Sequence, residues 1–112
     1  MEIVTKKDNS FTVFEIKGRL DTTNYLDLEK EFTRQIDNGD RQILVDCDRL
    51  DYVSSSGLRV FLIALKELKK LGGKFVMCNL QNSIQEIFEI SGFISIFDVY
   101  QTKDEARKVF NN

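Results

Sequence analysis

The stretch that decides the fold is residues 42–78, QILVDCDRLDYVSSSGLRVFLIALKELKKLGGKFVMC. It opens with a continuous apolar run from Gln42 to Cys47, as expected for a strand covered on both faces. From Gly57 to Leu71 apolar residues recur at helical spacing, and the glycine pair that follows favours a helix stop. Lys74 to Cys78 is a second buried strand. A strand, a helix and another strand predict a parallel β-α-β unit with a right-handed crossover.

The residues before this unit predict a hairpin and a helix. Glu2 to Lys7 and Phe11 to Lys17 alternate between apolar and polar residues, and Asp8-Asn9 between them is a turn signal. Asn24 is the expected N-cap of the next helix, which Asn38-Gly39 ends. The apolar stripe of that helix comprises Tyr25, Leu28, Phe32 and Ile36.

The residues after the unit predict two helices and a last strand. Ser83 with Glu86 forms a capping box for a helix that Gly92 stops. Ile96 to Tyr100 is the last strand, and a capping box of Thr102 and Glu105 opens a short terminal helix. The order is therefore β-β-α-β-α-β-α-β-α. It predicts a single α/β domain with a mostly parallel sheet and an antiparallel first strand.

Composition excludes several classes of protein. The chain has 112 residues, 42% of them hydrophobic and 30% charged, which suits one compact domain with a real core. The net charge of -2 and the absence of a basic stripe argue against direct nucleic-acid binding. The N-terminal residues lack the apolar stretch of a signal peptide, and no apolar run approaches membrane-spanning length. We therefore expect a cytoplasmic protein that does not bind a membrane.

The chain has no histidine, and this excludes much enzyme chemistry. A Ser-His-Asp or Cys-His site, histidine-ligated zinc and a phosphohistidine relay are all impossible. No P-loop motif occurs, and the aspartates of a response-regulator receiver are missing. Cys47 and Cys78 belong to no C-x-x-C pair, so two buried free thiols are expected. The sequence thus favours a protein that is not an enzyme and needs no cofactor or metal.

Two polar loops lie at the predicted carboxyl ends of strands, where sites gather in parallel sheets. They are Gly18 to Asn24 and Asp48 to Ser56, and they are neighbours if their strands are neighbours. The second loop places three serines before Gly57 at the start of a helix, where free amides and the helix dipole favour a phosphate. From the residues alone, the serines are either helix caps, the commoner case, or a modification site.

The segment from Asp51 to Leu58 resembles the phosphorylation loop of anti-sigma factor antagonists, the founding group of STAS domains. The similarity covers nearly the whole chain, residues 1–112, as one STAS domain. Its other parts are Gly18-Arg19-Leu20-Asp21, Leu44-Val45-Asp46, and Gly92-Phe93 followed by Ile96-Phe97. The serine loop and the Gly-x-Leu-Asp segment together are fairly specific, whereas either alone is weak.

The resemblance implies a site. The phosphorylated serine of the family lies two residues before the glycine, which is Ser55 here, with Ser56 as second choice. Many members have aspartate immediately before the acceptor, where this chain has Ser54. The partner-binding residues implied are Asp21, Thr22, Thr23, Asp51, Ser54, Ser56, Gly57, Leu58 and Arg59. Asp21 is either a structural acid that accepts loop amides or a contact that docks the partner.

The resemblance also implies partner switching. The unphosphorylated chain would bind an anti-sigma factor that is a serine kinase and free a sigma factor. Phosphorylation would release the kinase, and a serine phosphatase would reset the switch. Two alternatives stay open. One is a STAS module that regulates a target other than a sigma factor through a similar kinase, and the other is a scaffold whose serines are never modified.

Overall fold

The computed structural model describes residues 1–110, which form one six-stranded sheet with helices on both faces. The elements in chain order are β1 (Glu2–Asp8), β2 (Phe11–Leu20), α1 (Tyr25–Asp37), β3 (Gln42–Asp46), β4 (Leu50–Val53), α2 (Ser55–Lys70), β5 (Lys74–Cys78), α3 (Asn82–Ile90), a 3₁₀ turn (Phe93–Ser95), β6 (Asp98–Tyr100) and α4 (Lys103–Arg107). The strand order is β1-β2-β3-β5-β6, with β4 also paired to β2. Only β1 is antiparallel to its neighbour, so the predicted fold class is confirmed.

The main difference from the predicted order is β4, which lies inside the segment expected to be a loop. Strand β2 is ten residues long, and β3 pairs only with Thr12 to Glu15. The register of β2 shifts after Gly18, and its last residues then pair with β4 instead. Leu50 and Val53 are buried at the two ends of β4, which holds this short strand against the core. The prediction of a loop from Asp48 to Ser56 was therefore wrong in part, and α2 begins at Ser55 rather than at Gly57.

Other boundaries differ at helix starts. The expected capping box of Ser83 and Glu86 is absent, because α3 begins at Asn82, two residues earlier than predicted, and its N-cap Gln81 makes no side-chain cap. Thr102 does cap α4, since its hydroxyl accepts a hydrogen bond from the Glu105 amide at 3.1 Å. Asn24 precedes α1 as predicted, but its side chain bonds the preceding loop and not the helix. The last strand begins at Asp98 and not at Ile96 as predicted. The 3₁₀ turn ends with Ile96 as its C-cap, so this residue is not in the strand.

Aromatic side chains dominate the larger core, which lies between the sheet and helices α1, α2 and α3. The rings of Phe14, Phe32, Phe61 and Phe75 are buried there, with successive centroids 4.5 to 6.5 Å apart. A smaller cluster on the opposite face packs under α4 and includes a stacked pair of phenylalanines, Phe11 and Phe110. Of the stripe predicted for α1, Leu28, Phe32 and Ile36 are buried and Tyr25 is partly buried against the same core.

Both cysteines are buried and free, as predicted. They lie on adjacent strand ends, where the Cys47 amide donates to the Cys78 carbonyl at 2.9 Å. Cys47 packs into the larger core and Cys78 into the smaller one, so their side chains point to opposite faces of the sheet. Burial raises the pKa of the Cys78 thiol to about 12 and that of Cys47 well above its ordinary value. Both thiols therefore stay protonated and unreactive at neutral pH.

Candidate functional site

The pairing of β2 with β4 brings the two polar loops together. The Ser54 amide donates a hydrogen bond to the Leu20 carbonyl at 2.9 Å, which ties the start of α2 to the end of β2. Farther back, the Gly18 amide donates to the Arg49 carbonyl, also at 2.9 Å. The loops were predicted to be neighbours through the third strand. They are neighbours, but the direct link is β4.

The three serines at the start of α2 have three different environments. Ser54 is the N-cap, and its Oγ accepts a hydrogen bond from the Gly57 amide at 3.2 Å. Ser55 is the first helical residue and is exposed. Ser56 is half-buried and lines a groove between α1 and α2. The residue that caps the helix, Ser54, and the exposed residue, Ser55, are therefore different serines. Capping by one of them leaves the other available for modification.

Gly57 is required for the close approach of α2 to the sheet. A Cβ at this position would lie 2.7 Å from Leu20 Cγ and 3.0 Å from Val53 Cγ1. Leu58, the next residue, is also buried. Neither position faces solvent, so both of these predicted partner-binding residues pack the first turn of α2 against the core.

Asp21 organises the other loop. Its Oδ1 accepts hydrogen bonds from the Thr23 hydroxyl at 2.6 Å and from the Thr23 amide at 2.9 Å. Asn24 closes the same loop, because it accepts from the Asp21 amide and donates to the Arg19 carbonyl. The hydrogen bonds from the Thr23 hydroxyl and amide lower the pKa of Asp21 below its ordinary value. Asp21 therefore carries a negative charge beside the serine loop, while Thr22 next to it is exposed.

A stacked pair at the site was not predicted. The guanidinium carbon of Arg19 lies 4.1 Å from the centroid of the Tyr52 ring, and its Nε lies 3.8 Å from the Asp21 carboxylate. The two stacked residues are cross-strand partners in the β2–β4 register. The β2–β4 pairing would have indicated the contact between Arg19 and Tyr52. It could not be predicted, because the segment that forms β4 was predicted to be a loop. Arginine and tyrosine are enriched among residues that dominate binding energy at interfaces.

The remaining predicted residues flank the serines. Asp51 is exposed on β4, and the side-chain Nε2 of Gln81 donates to its carboxylate at 3.4 Å and to the Asp48 carbonyl at 3.0 Å. Arg59 is exposed on α2, one turn after Ser55, and forms no ion pair with any residue in the range 1–110.

The described part of the chain holds no group of three or more possible metal ligands. None of its helices has both the length and the apolar character to cross a membrane.

This arrangement presents the exposed Ser55 at the positive end of a helix, with fixed charges around it. The first amides of a helix have no partner within it, so they and the dipole would stabilise an anion at Ser55. The chain has no histidine that could activate this hydroxyl. The arrangement can therefore hold an anion at Ser55.

Comparison with known proteins gives consistent results. Residues 2–106 match the family model of the STAS domain. The chain is 38% identical over 110 residues to BtrV of Bordetella bronchiseptica, named as a candidate anti-sigma factor antagonist, with 98% of this chain and 95% of BtrV covered. It is 27% identical over 99 residues to the anti-sigma-B factor antagonist of Staphylococcus aureus, with 88% and 92% covered.

Solved structures show the same fold. SpoIIAA in its unphosphorylated form superimposes with a TM-score of 0.79 at 18% identity and 99% coverage of both chains. The phosphorylated form of this Bacillus protein superimposes with a TM-score of 0.76 at 21% identity, covering 97% of this chain and 99% of that one. The family model spans nearly the whole chain and the relative above 30% identity covers it almost fully, so this chain belongs to the STAS domain family, among the anti-sigma factor antagonists.

Proposed function

We propose that this chain binds an anti-sigma factor with serine-kinase activity and that phosphorylation of Ser55 ends the complex. The observation that carries the proposal is that the serines differ in hydrogen bonding and in exposure. Ser54 uses its hydroxyl to cap α2, whereas Ser55 exposes its hydroxyl in the first turn. Support also comes from SpoIIAA, a protein of the same fold for which both an unphosphorylated and a phosphorylated form are known.

Charge explains how one phosphate would separate the partners. A phosphoserine carries about −1.5 to −2 charges and three acceptor oxygens. At the centre of a docked surface it must lose its water, and Asp21 and Asp51 beside it add repulsion. In the free chain, the amides and dipole at the start of α2 stabilise the same group. Phosphorylation thus favours the free chain over the complex, and about 1.4 kcal/mol of this preference weakens binding tenfold.

The chain is the substrate in this cycle and not its enzyme. The kinase supplies ATP and the catalytic base, and a separate serine phosphatase removes the phosphate. No nucleic acid or membrane takes part directly, and the exchange takes place in the cytoplasm. The unphosphorylated chain sequesters the kinase, and this frees the sigma factor that the kinase had bound.

The experiment uses the purified chain, the anti-sigma factor kinase of its own organism and ATP. We expect one phosphate per chain, mapped to Ser55 by mass spectrometry, and none on Ser55→Ala. Ser56→Ala is the matched control and should still receive one phosphate on Ser55, because Ser56 is half-buried against α1. Phosphate on Ser54 or Ser56 of the wild-type chain would contradict the assignment.

Binding provides the second readout. Ser55→Asp should raise the dissociation constant for the kinase about tenfold or more, while Ser55→Ala should bind as tightly as the wild type. Equal affinities for all three chains would leave the phosphate without a role in the switch. A sigma factor released by the wild type but not by Ser55→Asp would separate sigma control from the regulation of another target.

A further inference from the structure

The surface between α1 and α2 carries apolar side chains that the core does not use. Leu26 on α1 is 52% exposed and Ile63 on α2 is 45% exposed. Both line a groove whose floor includes Val60 and, farther along, Ala64. From Leu26 to Asp37 this groove follows α1 for about 16 Å, at 1.5 Å per residue.

The groove is continuous with the serine loop. Its near part, of about 270 Å³, is lined by Ser56 and Arg59 from the first turns of α2. Its far part, of about 170 Å³, continues past Ile63 to Glu67. The lining combines the exposed apolar side chains of Leu26 and Ile63 with charged residues, which suits the side chains of another protein.

The charges of the groove change along its length. Arg59 lines only the near part, Glu29 lines both parts, and Asp37 and Glu67 line only the far part. Within residues 1–110 none of these three carboxylates forms an ion pair. An occupant that covers them must bring positive charge, because desolvating unpaired carboxylates is costly.

We propose that this α1–α2 groove is a second docking surface for the kinase that phosphorylates Ser55, and that it selects the cognate kinase. The inference rests on the proposed function, because the groove matters to the kinase only if Ser55 is its substrate. The occupant is a helix of the kinase with one large apolar side chain and a lysine or arginine three or four residues from it. The apolar side chain packs between Leu26 and Ile63, and the cation meets Glu29 or Glu67. Helix-in-groove docking of this kind uses apolar anchors at helical spacing.

A docking surface away from the reacting hydroxyl should affect binding and not the chemical step. We expect Ile63→Ser and Glu67→Lys each to raise the KM for this chain about fivefold to tenfold, with kcat unchanged, since Ser55 keeps its surroundings. The dissociation constant of the unphosphorylated variants should rise by the same factor. Both positions are exposed, so the variants should keep the melting temperature of the wild type.

Ile90→Ser and Glu89→Lys are the matched controls. Ile90 is 86% exposed at the end of α3, outside the groove, so these changes remove the same kinds of group without touching the proposed contact. We expect both controls to keep the wild-type KM. A groove variant with a KM within twofold of the wild type, or a control that weakens binding as much as Ile63→Ser, would overturn the inference.

Two further outcomes separate the possible failures. If the kinase phosphorylates wild-type Ser55 normally and the groove variants behave like the wild type, the groove inference fails alone and the proposed function stands. If the kinase neither binds nor phosphorylates the wild type, the groove inference and the proposed function are both wrong.

Sedimentation of the chain alone gives a third test. A wild-type dimer that Ile63→Ser dissociates, with kinase binding intact, would identify the occupant as a second copy and overturn the proposal.

Discussion

At the amino-terminal end of the parallel strands, polar side chains bond one another, whereas at the carboxyl-terminal end several face solvent. Lys7 donates hydrogen bonds to Thr12, Gln35 and Asp40, and the Thr12 hydroxyl donates to Asp40 at 2.7 Å. Thr12 is only 1% exposed. At the other end, Ser54 and Asp21 are hydrogen-bonded within their loops, but Ser55 is exposed and free of side-chain bonds within residues 1–110.

The contrast shows which polar residues stabilise the fold and which are available to a partner. A buried group that finds its partners inside the chain contributes to stability, and its loss leaves those partners unpaired. A hydroxyl at a helix start that is held in place but left unbonded contributes little to stability. The position of Ser55 is instead maintained by neighbours such as Ser54 and Gly57. Stability and binding should therefore respond to mutation at opposite ends of the sheet.

The largest expected effect comes from the glycines that allow close approach at each end. A Cβ at Gly73 would lie 2.1 Å from the Arg41 carbonyl oxygen, which is backbone and cannot move without shifting β3. We expect Gly73→Ala to lower the free energy of unfolding by about 3 kcal/mol or more, measured by urea denaturation. Gly57→Ala meets the side chain of Leu20 and should cost less, about 1–3 kcal/mol.

Kinase binding should reverse this order. Gly57→Ala displaces the first turn of α2 and hence Ser55, so the folded fraction of this variant should bind and react more weakly than the wild type. Gly73→Ala lies at the opposite end, and whatever fraction folds should bind normally. If Gly73→Ala lost binding per folded molecule while Gly57→Ala kept it, the two ends would not have the separate roles assigned here.

The second prediction compares single polar groups. Asp40→Ala removes the acceptor for both Lys7 and Thr12 and should cost about 1–3 kcal/mol, since the Thr12 hydroxyl is buried and partly unsatisfied without it. Ser55→Ala removes an unbonded, exposed hydroxyl and should change the free energy of unfolding by less than about 0.5 kcal/mol. Urea titrations of the two variants test this, and equal losses would remove the distinction between the two ends.

Most of the fold was predictable from sequence because its long elements have strong periodicity. The run from Gln42 to Cys47 and the stripe of α2 gave the β-α-β unit correctly. The strand β4 was missed because it has only four residues, two of them exposed, inside a polar segment. Helix starts were uncertain by one or two residues, and the exact start of α2 decides which serine is its N-cap. Periodicity cannot fix the start of α2, because it depends on where the chain leaves β4.

The stacked pair of Arg19 and Tyr52 was missed for the same reason. Cross-strand contacts follow from register, and the register of β2 changes after Gly18. The role of Asp21 was left open between a structural acid and a docking contact, and its bonds to Thr23 account for the structural part. A docking role in addition requires the partner and stays a prediction.

The smallest expected effect is a change in the pKa of Asp21. It tests whether the hydrogen bonds of the Asp21 loop are as well ordered as those of Lys7, Thr12 and Asp40 at the opposite end of the sheet. The Thr23 hydroxyl is the largest cause of the lowered pKa of Asp21, followed by the Thr23 amide. Thr23→Val removes that hydroxyl, so the pKa of Asp21 should rise toward its ordinary value of 3.8, as followed by NMR titration of the side-chain carboxyl carbon. Because the folded pKa is depressed, the loop is stabilised above the unfolded pKa and loses this contribution as the pH falls through the folded value. An unchanged pKa in Thr23→Val would mean that the hydrogen bond between the Thr23 hydroxyl and Asp21 does not persist in solution.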